Sequence, residues 1–388
     1  MMMRNDSTLV VIPFGSNVGY AIAPLEKLFF EVALSLGGGV YGNVHFAYKN
    51  LDRGRPLSLP PDFHNVWAYN VYDVSQSNND MLDAYLRRYE IDLVLLFDVG
   101  PISPLIKVIR RAGVRTVLSY YGAPVSSVMP LWKLILKKCV FWCSRSRVNG
   151  LIFESQAMAD LAIWGYGVPR HLIDIVPLGV DIEKFRPVRS NYAYEQLNIP
   201  SDRKIIIYGG HMERRKGVHT LVEAAIELLV KRGRKDICFL ICGNKGDESR
   251  EFEAMYEGMG IEAGIIFGGY RNDMVQLYST SLCGVIPSTG WDSFPRTSIE
   301  MAAAGLPVIA SRLQGLCEAV IDGETGLLFT PGDSIMLANL IEKMVDEPDL
   351  AEKLGKQGRR RCEQELNLEM QQKRLAAIVQ RRLLLSQD

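Results

Sequence analysis

Several features that would assign a function directly are missing from this sequence. Its 388 residues include 44 lysines plus arginines and 44 aspartates plus glutamates, so the formal net charge is zero. A neutral chain has no overall field that would attract it to nucleic acid or to an acidic surface. We therefore expect no nucleic-acid partner, and any electrostatic function must be local.

Cysteine pairs and long apolar runs are also missing. The seven cysteines include no Cys-x-x-Cys pair, which argues against a disulfide framework or a thiolate metal site. No apolar run approaches the ~20 residues that a membrane-spanning helix needs. The apolar segment from Thr8 to Phe14 is too short for the core of a signal peptide. These absences predict a cytoplasmic protein.

Three nucleotide and metal motifs are absent as well. The GxxxxGK[ST] order of a P-loop does not occur. The stretch Gly15-Ser-Asn-Val-Gly-Tyr20 follows the first apolar run but is not the GxGxxG fingerprint of a dehydrogenase. No Asp-x-Asp triplet could hold a metal ion against a diphosphate. We therefore expect no metal ion and no bound cofactor.

The apolar residues fall in short runs bounded by turn residues, as in strands buried on both faces of a parallel sheet. The runs of the first half are Leu9–Phe14, Val44–Tyr48, Val66–Tyr69, Leu93–Phe97, Thr116–Tyr120, Leu151–Phe153 and Ile175–Leu178. The runs of the second half are Lys204–Gly210, Ile237–Cys242, Gly264–Phe267, Gly284–Pro287, Val308–Ala310 and Leu327–Phe329. Helical spacing separates many of them, so the sequence predicts an α/β protein with two doubly wound, Rossmann-like domains.

A polar, proline-containing stretch from residue 183 to residue 203 divides the two series of strands. We expect a first domain at residues 1–187 and a second at residues 188–365. The charged, helix-prone tail predicts a C-terminal helix at residues 366–388 that returns to the first domain.

The stretch from Asp292 to Ser311 reads as loop, helix and strand. Backbone N–H groups at a helix start near Arg296 are oriented to bind an anion such as phosphate. Glu300 lies about one turn further on, where a carboxylate can bind the vicinal hydroxyls of a ribose. The alternative is that Glu300 only complements its helix dipole.

A second stretch, Gly209-Gly-His-Met-Glu-Arg-Arg-Lys-Gly217, follows the first strand of the second half. Its glycines allow close approach of a ligand, and Arg214, Arg215 and Lys216 offer positive charge for a diphosphate. The alternative is a solvated basic turn.

Together these two stretches resemble the retaining nucleotide-sugar glycosyltransferases of the large fourth family (group 1), which have the two-domain GT-B fold. That family carries two glutamates separated by seven residues before an Ala-Met-Ala-like helix; Asp292 stands in place of the first, and Glu300 is the second. The similarity continues through the segment from residue 319 to residue 328 and through Val176-Pro-Leu-Gly-Val-Asp181.

The resemblance implies roles for individual residues. Lys216 would neutralise the departing diphosphate, with Arg215, Arg214 or a protonated His211 as the second cation. Glu300 would hold the ribose, and Asp292 would contact the hydroxyls of the donor sugar. The remaining expected donor-binding residues are Gly19, Gly210, Gly243, Arg271, Ser293, Phe294, Pro295, Arg296 and Thr297.

In the first half, the resemblance places the acceptor site near Asn17, Asp98 and Tyr121, and Tyr121 could equally be a packing residue. The implied activity is metal-independent transfer of a hexose, with UDP-glucose as the first guess for the donor. The acceptor would be a saccharide or a lipid-linked saccharide in polysaccharide synthesis, and configuration would be retained. A sugar-nucleotide epimerase of the same fold and a non-catalytic nucleotide-sugar sensor are the alternatives.

One segment hints at a membrane surface. Between Asp98 and Glu154 there is no acidic residue, whereas the basic residues there are Lys107, Arg110, Arg111, Arg115, Lys133, Lys137, Lys138, Arg145 and Arg147. Residues 130–147 mix aromatic, aliphatic and basic side chains, as a helix at the surface of an anionic membrane does. The alternative is a helix that packs its apolar face on the sheet and keeps its lysines in water.

Overall fold

The computed structural model describes residues 6–20, 22–123, 130–144, 146–188, 190–244 and 246–386. Contacts within the chain define two compact units, one of Met1–Pro177 with Glu369–Asp388 and one of Leu178–Leu368. The domain limits that we expect from the sequence, after residues 187 and 365, stay predictions.

The first unit is built on a seven-stranded parallel sheet with the strand order β3-β2-β1-β4-β5-β6-β7. Its strands are β1 (Thr8–Ile12), β2 (Val44–Tyr48), β3 (Val66–Ala68), β4 (Leu93–Phe97), β5 (Thr116–Tyr121), β6 (Gly150–Phe153) and β7 (Ile173–Ile175). Every residue of β1, β2, β4, β5 and β6 is buried, which explains their mostly apolar sequences.

The second unit is built on a six-stranded parallel sheet with the order β10-β9-β8-β11-β12-β13. Its strands are β8 (Lys204–Gly209), β9 (Ile237–Cys242), β10 (Ile265–Gly269), β11 (Cys283–Ile286), β12 (Val308–Ser311) and β13 (Gly326–Phe329). In both sheets the strand order reverses beside the first strand of the unit, at β1/β4 and at β8/β11. Ligands of doubly wound sheets bind beyond the carboxyl ends of the strands at such a reversal.

Helices connect the strands. They are α1 (Ile22–Leu36), α2 (Gln76–Arg88), α3 (Pro104–Arg111), α4 (Leu131–Cys143), α5 (Gln156–Tyr166), α6 (Tyr192–Leu197), α7 (Val218–Ile226), α8 (Arg250–Glu253), α9 (Met274–Thr280), α10 (Arg296–Ala303), α11 (Leu316–Ala319), α12 (Ser334–Asp346), α13 (Pro348–Gln364) and α14 (Leu368–Leu385). A π-helical turn, Glu227–Lys231, extends α7. The predicted fold class, two doubly wound Rossmann-like domains, is confirmed.

Two sequence-based element limits are wrong. The run Ile175–Leu178 is not a strand; the strand ends at Ile175, where its pairing with β6 ends. The apolar spacing of residues 250–259 predicts a helix of that length, but α8 stops at Glu253, ahead of Gly258 and Gly260, which both have positive φ. In the predicted C-terminal segment the structure has the helix α14, separated from α13 by residues that hydrogen-bond with Val180.

The last helix, α14, belongs to the first unit. Arg381 and Arg382 both pair with Asp174 of β7, and the Arg382 and Asp174 side chains are 7% and 9% exposed. Buried Gln371 donates a hydrogen bond to the hydroxyl of Tyr120 over 3.5 Å. Among the residues described, no helix is both long and apolar enough to cross a membrane.

Candidate active site

The loop after β8 lies close to the backbone of the loop after β9. The Gly210 N–H donates to the Cys242 carbonyl over 3.1 Å, and the Tyr208 hydroxyl donates to the His211 carbonyl over 2.6 Å. Gly243 has a φ of 127°, and a Cβ there would lie 1.8 Å from the Gly210 carbonyl oxygen. Glycine is therefore required at position 243 for the two loops to touch at the carboxyl edge of the sheet.

A tight turn presents Lys216 beside the loop that follows β11. The backbone N–H groups of Thr289 and Gly290 both donate to the Arg215 carbonyl, over 2.8 and 3.0 Å. Gly217 ends the turn with a φ of 70°, and a Cβ there would lie 1.8 Å from the Pro287 carbonyl oxygen. Only glycine fits at this position, which fixes the start of α7 and the direction of the lysine.

Lys216 and Asp292 form a largely buried ion pair. The Lys216 Nζ lies 2.8 Å from the Asp292 Oδ2, and the two side chains are 17% and 7% exposed. The Ser288 hydroxyl donates a second hydrogen bond to the same oxygen, over 2.8 Å. The structure thus brings together two of the residues that the sequence identified, the lysine for a diphosphate and the carboxylate for sugar hydroxyls.

Arg215 points to a different neighbour. Its guanidinium carbon lies 4.5 Å from the centroid of the Trp291 ring, and its Nη1 donates to the Trp291 carbonyl over 3.2 Å. It also pairs with Glu213 over 2.7 Å. Arg214 and His211 are exposed at the same loop. The identity of the second cation stays a prediction.

The start of α10 is held by the loop after β12. The Asp292 N–H donates to the Gln314 side-chain oxygen over 3.3 Å, and the Gly315 N–H donates to the Asp292 carbonyl over 3.3 Å. A Cβ at Gly315 would lie 1.2 Å from the Ser293 carbonyl oxygen, so the two loops are in backbone contact. Phe294 is 2% exposed and anchors the segment in the core.

Pro295 precedes the first turn of α10 and supplies no side-chain cap. The first N–H groups of a helix, here those of Arg296 and Thr297, have no partner within the helix and favour an anion. Glu300 follows on the same helix and is 4% exposed. Arg296 donates from Nη1 to the Gly179 carbonyl over 3.4 Å.

Arg271 follows β10 and is already paired. Its Nε and Nη2 donate to the two carboxylate oxygens of Asp273, over 2.8 and 2.5 Å. The Tyr192 hydroxyl donates to the same carboxylate over 2.7 Å. A role of Arg271 in donor binding stays a prediction, and it would require this pair to open or to share the arginine.

In the first unit, the loop after β1 folds onto the segment that follows β2. The Asn17 side chain donates to the carbonyls of Arg53 and Arg55 and accepts from the Leu57 N–H over 2.9 Å. Asn17 and the exposed Gly19 have positive φ values, 56° and 77°. The Asn17 amide is thus used in holding the loop.

The other two predicted acceptor residues follow β4 and end β5. The Asp98 carboxylate accepts hydrogen bonds from the Gly122 and Ala123 N–H groups, over 2.9 and 3.3 Å. Burial raises the pKa of Asp98 to about 6, although these hydrogen bonds act in the opposite direction. Tyr121 is 4% exposed, stacks on Phe153 at 5.1 Å between centroids, and belongs to the core. Its packing role is therefore the one that the geometry favours.

Residues that sequence reasoning missed support this site from neighbouring loops. Ser288, Trp291 and Gln314 contact Asp292 or Arg215, and their only sequence signal is that each follows a buried strand. In the part of the chain that the structure describes, no group of three histidine, cysteine, aspartate or glutamate side chains could hold a metal ion.

Two family models match the chain, "Glycosyl transferases group 1" over residues 193–361 and "Glycosyltransferase Family 4" over residues 44–184. The chain belongs to the group 1, family 4 glycosyltransferases. The first match contains Lys216, Asp292 and Glu300, so the assembled site lies inside the region that the group 1 model matches.

Relatives of this family 4 chain match it over part of its length. It is 32% identical over 215 residues to the D-inositol 3-phosphate glycosyltransferase of Corynebacterium jeikeium, which covers 53% of this chain and 51% of that protein. It is 28% identical over 185 residues to the capsular polysaccharide biosynthesis glycosyltransferase CapM of Staphylococcus aureus, which covers 48% of each. The matches thus span about half the length of these curated relatives.

A solved glycosyltransferase matches nearly the whole fold. The structure of HepE from Anabaena in complex with UDP has a TM-score of 0.78 and 17% identity, covering 97% of this chain and 100% of that one. This likeness assigns the fold, and the family 4 chain has the GT-B fold with two Rossmann-like domains.

Proposed function

We propose that this protein transfers a hexose from a nucleotide diphosphate sugar to a saccharide or a lipid-linked saccharide, with retention of configuration. UDP-glucose is the first donor to test, followed by other UDP-hexoses and GDP-mannose. Family membership and relatives named for glycosyl transfer to an inositol phosphate and for capsular polysaccharide synthesis support this proposal. HepE was solved with UDP, which supports a uridine nucleotide.

The observation that carries the proposal is the Lys216–Asp292 pair beside the start of α10. Breaking a glycosyl–phosphate bond leaves its electron pair on the diphosphate, so negative charge grows on the leaving group. A lysine and free helix N–H groups, fixed in place before the reaction, stabilise that charge. The acceptor hydroxyl oxygen forms the new bond to the sugar and loses its proton.

Asp292 and Glu300 divide the polar part of the donor between them in this proposal. Both carboxylates are nearly buried, and each can accept hydrogen bonds from hydroxyl groups, those of the sugar at Asp292 and those of the ribose at Glu300. The diphosphate competes with Asp292 for Lys216 in this proposal, because the present partner of the lysine is that carboxylate. Asp98 is the residue that we place closest to the acceptor, since both of its hydrogen bonds described above go to Oδ1, whereas the Asn17 amide and the Tyr121 hydroxyl are bound to backbone groups of their own unit.

We propose transfer without a bound metal ion. The cations needed by the leaving group come from Lys216 and from a basic neighbour in the same loop, and the sequence contains no Asp-x-Asp triplet. Full activity in the presence of a chelator is the expected result, and loss of activity that Mg²⁺ or Mn²⁺ restores would contradict this part of the proposal.

The experiment that tests the proposal is thermal stabilisation of the protein by UDP, GDP, ADP, NAD and their sugar conjugates. We expect one nucleoside diphosphate and its sugar to raise the melting temperature, and the rise to be lost in Lys216→Ala and Glu300→Ala. Lys235→Ala, an exposed lysine of the same unit, is the control that should keep the full response. A response to NAD alone, or to no diphosphate, would refute glycosyl transfer from a sugar nucleotide.

Turnover separates the transferase from a binding protein with the same site. Release of free UDP or GDP from the donor that stabilises the protein is expected in the presence of saccharide or glycolipid acceptors. Tight binding without release under any acceptor would leave only a sensor role. Interconversion of the donor sugar without transfer would identify an epimerase instead.

A further inference from the structure

Helix α4 presents its apolar residues to solvent. Only Leu134 and Phe141 are buried in this helix, and they lie seven residues, or about two turns, apart on one side. Its exposed apolar side chains are Leu131, Trp132, Ile135, Leu136, Val140 and Trp142, with exposed fractions between 52% and 71%. The sequence also allowed a helix that packs its broad apolar face on the sheet. The structure shows that face exposed instead.

The lysines of α4 flank the buried stripe. At 3.6 residues per turn, Lys133 and Lys137 follow one side of the line from Leu134 to Phe141, and Lys138 follows the other side. The apolar side chains cover the remaining, outward arc, including both tryptophans. The outward face is thus apolar in its middle and basic along its edges, which is the side-chain distribution of a helix that lies in a lipid headgroup layer.

The surroundings of α4 are basic as well. No acidic residue occurs between Asp98 and Glu154. Arg147 extends the basic edge past the end of the helix, where its guanidinium carbon lies 5.4 Å from the Trp142 ring centroid. Trp164 of α5, the helix that packs on α4, adds another aromatic side chain that is 57% exposed.

We propose that α4 docks the protein on an anionic lipid bilayer, with its outward apolar arc among the acyl chains and its lysines at the phosphates. Charge complementarity favours this occupant over a second copy of the chain, because a symmetric contact would bring the lysines of both copies to the same rim. The helix has 13 residues, too few to span a bilayer, so it lies parallel to the surface. This inference does not depend on which sugar nucleotide the protein uses.

The test is co-sedimentation of the full chain with vesicles of phosphatidylcholine alone or with phosphatidylglycerol. We expect at least tenfold tighter binding to the anionic vesicles and a blue shift of tryptophan fluorescence on binding. Leu136→Glu with Val140→Glu should weaken vesicle binding at least tenfold. Leu57→Glu, at an apolar side chain that is 88% exposed elsewhere in the same unit, should leave it unchanged.

A further double variant separates the contribution of the basic edges from that of the apolar arc. Lys133→Gln with Lys138→Gln should weaken binding to anionic vesicles by about thirtyfold at low salt and leave the weak binding to phosphatidylcholine unchanged. All variants should keep the stabilisation by a nucleoside diphosphate, which shows that the second unit is intact.

Light scattering tests the alternative that α4 contacts a second copy of the chain. A dimer that the Leu136→Glu, Val140→Glu variant dissociates, together with no binding to anionic vesicles, would overturn the proposal in favour of self-association. Equal binding of wild type and this variant to anionic vesicles would also overturn it, since the membrane would then contact another surface.

Discussion

The Lys216–Asp292 ion pair predicts that removing the Asp292 charge will raise the affinity for the nucleoside diphosphate. In the structure the lysine that we assign to the diphosphate is bound to a carboxylate, so the diphosphate must compete with Asp292 for it. Asp292→Asn removes the competing negative charge, and the Lys216 ammonium group is then available to bind phosphate. We therefore expect this variant to bind the nucleoside diphosphate more tightly than wild type while losing transfer activity.

The magnitudes follow from the geometry. A charge-assisted hydrogen bond in a largely buried site contributes about 1.5–3 kcal/mol. Lys216→Ala should therefore weaken binding of the diphosphate by roughly 10- to 150-fold, since 1.4 kcal/mol corresponds to a factor of ten. Asp292→Asn keeps an oxygen that can accept from Lys216 and Ser288, so it recovers only part of that energy. An increase in affinity of roughly 3- to 10-fold is the expected result for Asp292→Asn.

The two variants also differ in stability without ligand. Lys216→Ala leaves the 5%-exposed Asp292 with only the Ser288 hydroxyl as a side-chain donor among the contacts described above, which costs about 1–3 kcal/mol of unfolding free energy. Asp292→Asn leaves a lysine that is 17% exposed and can turn to water, so its cost should be smaller.

The assay is isothermal titration calorimetry of UDP, or of whichever diphosphate stabilises the protein, with transfer measured on the same preparations. Lys235→Ala again serves as the control for a lost surface charge. The reasoning is refuted if Asp292→Asn weakens diphosphate binding as much as Lys216→Ala does, because the carboxylate would then be a binding partner and not a competitor.

Three further predictions concern the framework around the site. Gly217→Ala should lower the melting temperature and abolish diphosphate binding. A φ of 70° costs alanine about 1–2 kcal/mol, and the new Cβ would also meet the Pro287 carbonyl. In the same thermal scan, Gly323→Ala, with a φ of 74° and open space around the Cβ, should lower the melting temperature less. Burial raises the pKa of Asp98 from 3.8 to about 6, so the stability that the protonated carboxyl contributes is present below pH 4 and is lost as the pH rises through 6. In urea unfolding, the stability of Asp98→Asn relative to wild type should therefore rise by about 2–3 kcal/mol between pH 4 and pH 7. Parallel pH profiles of the two proteins would contradict this prediction. Tyr121→Phe should cost about 1 kcal/mol of unfolding free energy and leave the KM for the acceptor unchanged, and a raised KM would restore the acceptor role.

The fold and the proximity of Lys216 to Asp292 were predictable because they depend on strand patterns and on sheet topology. Buried parallel strands have mostly apolar sequences, and the loops that we assign to the donor phosphates come directly after them. Lys216 and Asp292 are 76 residues apart along the chain, yet both follow strands at the reversal of one sheet, so topology alone places them together. Their direct pairing was not predictable, because it depends on backbone contacts at Gly217 and Gly290 that no pattern announces.

The acceptor half was less predictable for a physical reason. Asn17 and Tyr121 follow or end strands as the donor residues do, so their positions look alike in the sequence. The Asn17 side-chain amide donates hydrogen bonds to the carbonyls of a segment more than thirty residues further along the chain. Tyr121 turns into the core and donates to the Val99 carbonyl. Side-chain direction at a strand end is decided by these long-range partners.

Helix α4 shows the same limit in a different form. Its sequence has more apolar residues than a single buried stripe can hold, so the periodicity allowed either face to point inward. The structure buries the narrow side, Leu134 and Phe141, and leaves the wide side in solvent. Burial of one exposed leucine contributes about 1.5–3 kcal/mol, so leaving six large apolar side chains in water forgoes far more stability than burying Leu134 and Phe141 provides. Folding of the isolated chain does not explain that choice, whereas docking of this face on a surface outside the chain does.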